Sequence, residues 1–418
     1  MLASIDRGVK DYGGHLLAFR PNARLYLVYA IIAGVSMGIY QLVFNWYILS
    51  LGYNAKLIGN LASVSGTTAL VFALPMGYLA ESIGRKNALM ISAVLVSFSI
   101  GMMVIWPVTP IFYAMNILSG IAQSLAAVTM APFLMENSGE RERTYLFSFS
   151  SGIQTLAMAA GNWIGGYISI WSANLWKVDP GSSPAYGASI MLVAIGQAIA
   201  IIPLILIKMP RLARSERTVF APFSYATKNP RKLTKLVLPM LITSIGAGLI
   251  MPFMNVFFRF QYNQPDQVIG SVMAWGLLAM GLGLIAAPVL ADRFGKIQVV
   301  VISQALSIPF LILLGFSPLF WMSGLAYLVR VALMNMSTPV YTTFVMEHVE
   351  DESRAMVASL VSMAWSFGRV ISPTISGNLQ VQYGFGPPFL GTIFLYTISV
   401  ILYWYFWWRA DTKKLALA

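Results

Sequence analysis

Cysteine is absent and histidine nearly so, with His15 and His348 the two in 418 residues. Without thiols the chain can form no disulfide, thiolate metal site or thiol nucleophile, and two imidazoles leave little for metal or acid–base chemistry. Charge is the next shortage. Asp, Glu, Lys and Arg make up 10% of the residues, against about 25% in a soluble domain. No glycine-rich loop followed by Lys-Ser or Lys-Thr is present, which excludes ATP as the direct energy source. What the chain has instead is oil: 58% hydrophobic residues and a mean hydropathy of +0.72. Such a composition belongs to a polytopic membrane protein.

Runs long enough to cross roughly 30 Å of hydrocarbon, about 20 residues each, occur twelve times: 25–50, 57–80, 87–107, 110–135, 143–172, 186–208, 234–260, 267–291, 297–316, 319–346, 354–380 and 386–408. The fold class expected is therefore an all-α membrane protein of twelve transmembrane helices. Residues 1–24 contain Asp6, Arg7, Lys10, Asp11, His15 and Arg20 and lack the apolar core of a signal peptide, so the N-terminus is expected to stay cytoplasmic.

The net charge of +12 suggests nucleic acid until the cations are placed. Of 27 Lys and Arg, 22 fall in the N-terminal segment, the alternate connections around Arg85, Arg141, Arg293 and Arg354, the stretch 208–235 and the C-terminal tail. All of these lie on one side of a twelve-span topology. That side is expected to be the cytoplasm of a cell (plasma) membrane, with both termini inside, and nucleic acid is not a partner.

A shift of 211 residues aligns the two halves of the chain. LAESIGR at 79–85 meets LADRFGK at 290–296, FLMEN at 133–137 meets FVMEH at 344–348, Arg143 meets Arg354, Gly166 meets Gly377, and Ile58-Gly59 meets Ile269-Gly270. Charged residues agreeing at one offset argue for duplication, and six spans repeated with the same topology give two six-helix bundles related by a pseudo-twofold axis along the membrane normal. The domains are then 1–208 and 234–418, joined by a basic cytoplasmic linker, 209–233, broken by Pro210, Pro222 and Pro230.

The stretch Gly77, Leu79, Ala80, Glu81, Ser82, Gly84, Arg85, Lys86 resembles the signature that follows the second helix of the major facilitator superfamily. The resemblance extends over nearly the whole chain. Glu81 replaces the usual Asp and Ser82 the usual Arg, whereas Ala291, Asp292, Arg293, Gly295 and Lys296 of the second half supply the Asp-Arg pair. In the fifth span, Ala157, Gly161, Asn162, Gly165 and Gly166 resemble the glycine-proline motif of drug exporters, with Asn162 where the family has proline. Gly368, Ser372, Pro373, Ser376 and Gly377 repeat the pattern in the eleventh. Close helix approach through small residues explains both without reference to any direction of transport.

By these boundaries every Asp and Glu falls at a helix end or in a loop. Exporters of cationic drugs usually bury a carboxylate in the first or fourth helix; here the first span offers Gln41 and Asn45. Arginines occupy the interior instead: Arg330 and Arg369 well inside their spans, and Arg259 near the outer end of the seventh, where snorkelling is easy. An ionisable side chain at depth faces a cavity or a partner. A cavity is expected with a cationic second-half wall, Arg330 and Arg369 with Asn255 and Asn335, and a neutral polar first-half wall of Tyr40, Gln41, Asn45, Gln123 and Gln154. A guanidinium fork suits carboxylate, phosphate or sulfate. The alternative is that the arginines brace helices kinked at Pro339 and Pro373.

The reading that follows is a secondary transporter for a small or amphipathic, anionic or zwitterionic solute, working by alternating access, with efflux favoured. A lysophospholipid or glycolipid flippase, a sugar or nutrient uptake carrier, and a non-transporting sensor are the alternatives. An enzyme would have to rely on His348 beside Glu347, and none is expected. The expected partners are the substrate, the bilayer and a coupling proton or counter-anion; the chain is expected to be a monomer without cofactor or metal.

Glu136 and Arg143, and at the same offset Glu347 and Arg354, form Glu-x6-Arg pairs that resemble those of sugar porters. Glu347 lies about 42 Å along its helix from Leu319, at 1.5 Å per residue, and so sits at the cytoplasmic interface. The resemblance implies a cytoplasmic gate of Gly77, Glu81, Gly84, Arg85, Glu136, Arg143, Asp292, Arg293, Glu347 and Arg354, closed by ion pairs between the halves when the outer side is open. The alternative is solvated loop charge serving topology alone. The gate predicts that Glu347→Arg combined with Arg143→Glu transports better than either single change in a flux assay.

Overall fold

Proline and glycine set the helix boundaries. In a computed structural model that describes residues 19–139, 143–208, 230–349 and 354–415, with the side chains of 143–145, 354–356, 358–359 and 409–415 left out, helix α1 (Pro21–Ser50) opens on a proline whose missing N–H belongs to the unsatisfied first turn. It is followed by α2 (Ala55–Val71), α3 (Ala73–Ile83), α4 (Arg85–Ile105), α5 (Thr109–Glu136), α6 (Arg143–Trp176), α7 (Ser183–Ile199) and α8 (Ile201–Leu206). The second half contains α9 (Pro230–Ile250), α10 (Met254–Tyr262), α11 (Asp266–Phe294), α12 (Lys296–Phe316), α13 (Phe320–Glu347), α14 (Arg354–Tyr383) and α15 (Gly386–Leu415).

These helices make twelve spans, since α2 with α3, α7 with α8, and α9 with α10 are each one broken span. Eight are long and apolar enough by composition alone, and the bent α2–α3 pair is a ninth. The other three, α6, α13 and α14, run 28 to 34 residues and are not among those that pass on composition. Every span starts within a few residues of its predicted place. The last helix continues to Leu415 rather than ending at 408, and α9 starts at Pro230, inside the stretch read as linker; Pro210 and Pro222 lie outside the described residues.

The duplication is visible in three dimensions. Helix α1 packs on α6 and α7, and α9 packs on α14 and α15; α4 packs on α5 and α7, and α12 on α13 and α15. Gly84 and Gly295, related by the repeat, join their helices at φ +85° and +93°, a conformation that a side chain would strain. The symmetry fails in the three broken spans, each of which has an unbroken counterpart, and most sharply in α2–α3. Pro75 cannot donate to Val71 and its ring crowds that carbonyl, so α2 and α3 bend by 57°, whereas α11 runs unbroken for 29 residues.

Between the halves, α2 lies on α14 and α11 lies on α6. In lipid no hydrophobic force draws helices together, so association depends on backbones coming close enough for dispersion and hydrogen bonding. Four repeat-related glycines permit it. A Cβ at Gly59 would strike Pro373 and one at Gly377 would strike Ala55; equivalently, Gly270 meets Asn162 and Gly166 meets Asp266. The small residues of α6 and α14 are thus contact positions, as the close-approach reading requires. Within the second half, Gly368 lies against the Ser244 carbonyl of α9, while nothing stands within 4 Å of a Cβ at Gly281. Gly368→Ala is expected to destabilise by about 1–3 kcal/mol through overpacking, read as a lower melting temperature in detergent; Gly281→Ala is expected to leave it unchanged or raise it.

Candidate functional site

The described hydrogen bonds between the halves lie towards one end of the bundle, the end away from the basic connections. Asn45 of α1 donates to the Pro252 carbonyl at 2.8 Å, and Asn255 of α10 donates to the Leu42 carbonyl at 2.7 Å. Offset by 210 residues, these bonds are near-symmetric images, and Asn45 Nδ2 lies 2.9 Å from Asn255 Oδ1 between them. The two asparagines, expected on opposite cavity walls, hold each other instead and are buried. Nearby, the Thr374 amide donates to Ser63 across the halves at 3.1 Å.

At the basic end the charges bind each half to itself. Arg85 Nε lies 3.4 Å from Glu136, and the repeat-related Lys296 pairs with Glu347. Lys86 donates to the Ile205 and Ile207 carbonyls at 2.6 and 2.7 Å, capping the end of α8. Arg293 lies over its neighbour Phe294, and Glu81, Gly84, Asp292 and Arg293 are exposed. No Cβ at Gly77 would touch anything. The Arg143 and Arg354 side chains lie outside the described residues. Among the described residues no ion pair joins the halves at this end: as far as these residues go, the bundle is closed at its far end and open at its basic end.

Inside, Arg330 of α13 is 1% exposed. One guanidinium nitrogen donates to the Tyr396 hydroxyl of α15 at 2.8 Å, another points at the Met251 sulfur at 3.8 Å, and Nε has no partner among the described residues. The guanidinium also faces the Tyr396 ring, 5.5 Å from its centroid. It braces no proline-freed carbonyl, so that alternative is not what the structure shows for Arg330. Arg369 of α14 is exposed, and its backbone seats Gly66 of the opposite half.

Gln41 and Gln154 are likewise exposed in mid-span, and Tyr40 is half-buried and stacked on Phe44 at 4.7 Å. Exposed amides and a guanidinium at such depth would be costly if they faced hydrocarbon. Gln123 bonds Ser119 and Ser65 at 3.2 and 3.5 Å, and Asn335 bonds the Val331 carbonyl of its own helix at 2.9 Å. The predicted set therefore divides. Arg330, Arg369, Gln41, Gln154 and Tyr40 retain free capacity or exposure; Asn45 and Asn255 do not. His348 presents Nδ1 to the Phe344 carbonyl at 2.8 Å and packs on Trp407.

The largest departure from the sequence reading concerns Arg259. It turns inward rather than snorkelling outward, pairs with Asp266, donates to the Tyr186 hydroxyl at 2.6 Å and stacks on Trp46 at 4.5 Å. Asp266 stands at a helix start as expected yet is buried, accepting from Tyr186 at 2.8 Å and Ser169 at 3.4 Å. Its neighbours Pro265 and Gln267 gave no sequence signal of burial. A shift by 211 pairs Asp266 with the unremarkable Ala55.

The model of the Major Facilitator Superfamily matches residues 26–263 and again 236–417, once for each half. The chain belongs to the major facilitator superfamily. Members of this superfamily are transporters, and the twelve-span duplicated fold is theirs. Among curated members the chain is similar to the quinolone resistance protein NorA of Staphylococcus aureus, at 21% identity over 369 residues, 86% of this chain and 90% of that one. It is also similar to the multidrug resistance protein MdtG of Enterobacter lignolyticus, at 25% over 182 residues, 42% of each chain. Among solved members, the nucleoside transporter NupG superimposes with a TM-score of 0.76 at 16% identity, covering 92% of this chain and 98% of the other.

For the buried guanidinium of this superfamily member, Tyr396→Phe removes its one described oxygen acceptor. The expected loss is about 1.5–3 kcal/mol, the worth of a hydrogen bond to a charged group, seen in thermal unfolding. Adding Arg330→Met is expected to restore most of it, because no charge is then stranded.

Proposed function

We propose that the chain exports a small or amphipathic organic anion or zwitterion by alternating access. The observation that carries this reading is Arg330, a guanidinium buried at membrane depth with a hydroxyl and a thioether for partners and no carboxylate among the described residues. With Arg369, exposed in mid-span, it would give the second half a cationic wall that no described carboxylate neutralises. A carboxylate, sulfate or phosphate supplies what the wall lacks.

The basic end is the cytoplasmic one by its excess of lysine and arginine, in a multi-pass protein of the cell membrane with both termini inside. An interior open on that side is the loading state of an exporter. The resistance proteins among its relatives support the same direction. Coupling to protons or to a counter-anion, and a monomeric state, complete the reading. A second reading, a flippase for lysophospholipid or glycolipid, draws on the apolar company of Arg330, where Met251 and the Tyr396 ring would accept an acyl chain beside a bound head group.

In proteoliposomes, Arg330→Gln and Arg369→Gln are expected each to cut flux of organic carboxylates about tenfold or more and to spare their uncharged amides. Full carboxylate flux with unchanged apparent affinity in Arg330→Gln would remove the basis of the proposal.

A further inference from the structure

Arg259 and Asp266 form an ion pair inside the second half, on α10 and α11, packed against the first, with Asp266 buried and Arg259 partly so. What the first half contributes is a set of uncharged groups: the Tyr186 hydroxyl, which both accepts from Arg259 at 2.6 Å and donates to Asp266 at 2.8 Å, the Ser169 hydroxyl, 3.4 Å from Asp266, and the Trp46 ring under the guanidinium at 4.5 Å. Opening the far end must separate these partners, because Trp46, Ser169 and Tyr186 travel with one half and Arg259 and Asp266 with the other. The ion pair itself need not break.

We propose that Tyr186 is the key of the far-end gate, a positioning residue whose hydroxyl locks the first half onto the Arg259–Asp266 pair when the basic end is open. The proposal rests on the chain being an alternating-access carrier and is independent of what it carries. A phenol suits this role for a physical reason. Hydrogen bonds to charged groups are about twice as strong as neutral ones, yet parting them leaves each half electrically complete: a neutral hydroxyl on one side, a closed ion pair on the other. A salt bridge between the halves would strand two opposite charges at every cycle. Trp46 contributes in the same sense, as a cation–π partner that carries no charge of its own.

The chain's natural lack of cysteine makes the test direct. Two single-cysteine reporters are introduced into the full-length chain. Ser63→Cys stands on α2 where Ser63 accepts from the Thr374 amide of the opposite half, a position buried in this structure. Ser151→Cys lies on α6, eleven residues or three turns before Asn162, which packs on α11 at the far end; it is exposed in this structure, and closing the basic end is expected to cover it. With Tyr186→Phe, labelling of the Ser63→Cys reporter by a membrane-impermeant maleimide applied from the far side is expected to rise about tenfold. Labelling of the Ser151→Cys reporter from the basic side is expected to fall.

Tyr47→Phe removes a buried phenol hydroxyl bonded within the first half, to the Met103 carbonyl at 3.5 Å, and is expected to move neither reporter. A rise at both reporters would mean that Tyr186 only holds the fold together. Unchanged labelling at Ser63→Cys, or an equal rise with Tyr47→Phe, would equally overturn the proposal. Each of these results bears on the gate alone, since anion flux lost in Arg330→Gln with normal gating would concern the cavity and not Tyr186.

Discussion

Arg330 donates to the Tyr396 hydroxyl and points at the Met251 sulfur, and nothing described within reach of it bears a negative charge. Placing a guanidinium inside a spanning helix costs a few kcal/mol even on the generous translocon scale. Most of the molecule can be understood as what allows that residue to persist. The spans around it supply a phenol and a thioether instead of an acid, so the positive charge remains available. An interior carboxylate would quench it; the acids of this chain are kept at the ends, where Glu136 and Glu347 pair with Arg85 and Lys296.

The two ends of the bundle solve the problem of reversible contact differently. At the far end the halves meet through bare backbone at Gly59, Gly166, Gly270 and Gly377, through the reciprocal asparagines Asn45 and Asn255, and through hydroxyls laid on an ion pair. None of these contacts separates opposite charges when it opens. At the basic end the ion pairs lie within the halves in this conformation, and water reaches Glu81, Asp292 and Arg293. Repeat symmetry relates Arg85 with Glu136 to Lys296 with Glu347.

Much of this was legible in the sequence. Span count, span positions and the duplication follow from apolar length and from charged residues matching at one offset, because bilayer thickness and duplication both leave marks that survive in a single chain. Gly166 and Gly377 were visible as an equivalent pair, and the fold gives them equivalent contacts, with Asp266 and Ala55. Asn45 and Asn255 were read as cavity polars, since a sequence shows that an amide is in a span but not whether its partner is water or the opposite half. Asp266 and Tyr186 were missed for a related reason. Asp266 sits at a helix start, where acids are ordinary, and its burial comes entirely from α6, α7 and α10 folding over it. The bend at Phe72 was equally hidden, because a proline near a span's centre can be absorbed or can break it.

The central claim is a cationic interior that selects negative charge. Thermal unfolding of the purified full-length chain against matched acidic, neutral and cationic amphiphiles tests it most directly, since a ligand that prefers the folded state raises apparent stability in proportion to its affinity. Stabilisation by the carboxylate, sulfate or phosphate members, lost in the Arg330→Gln protein, is the result expected. Stabilisation by the cationic members alone would contradict it.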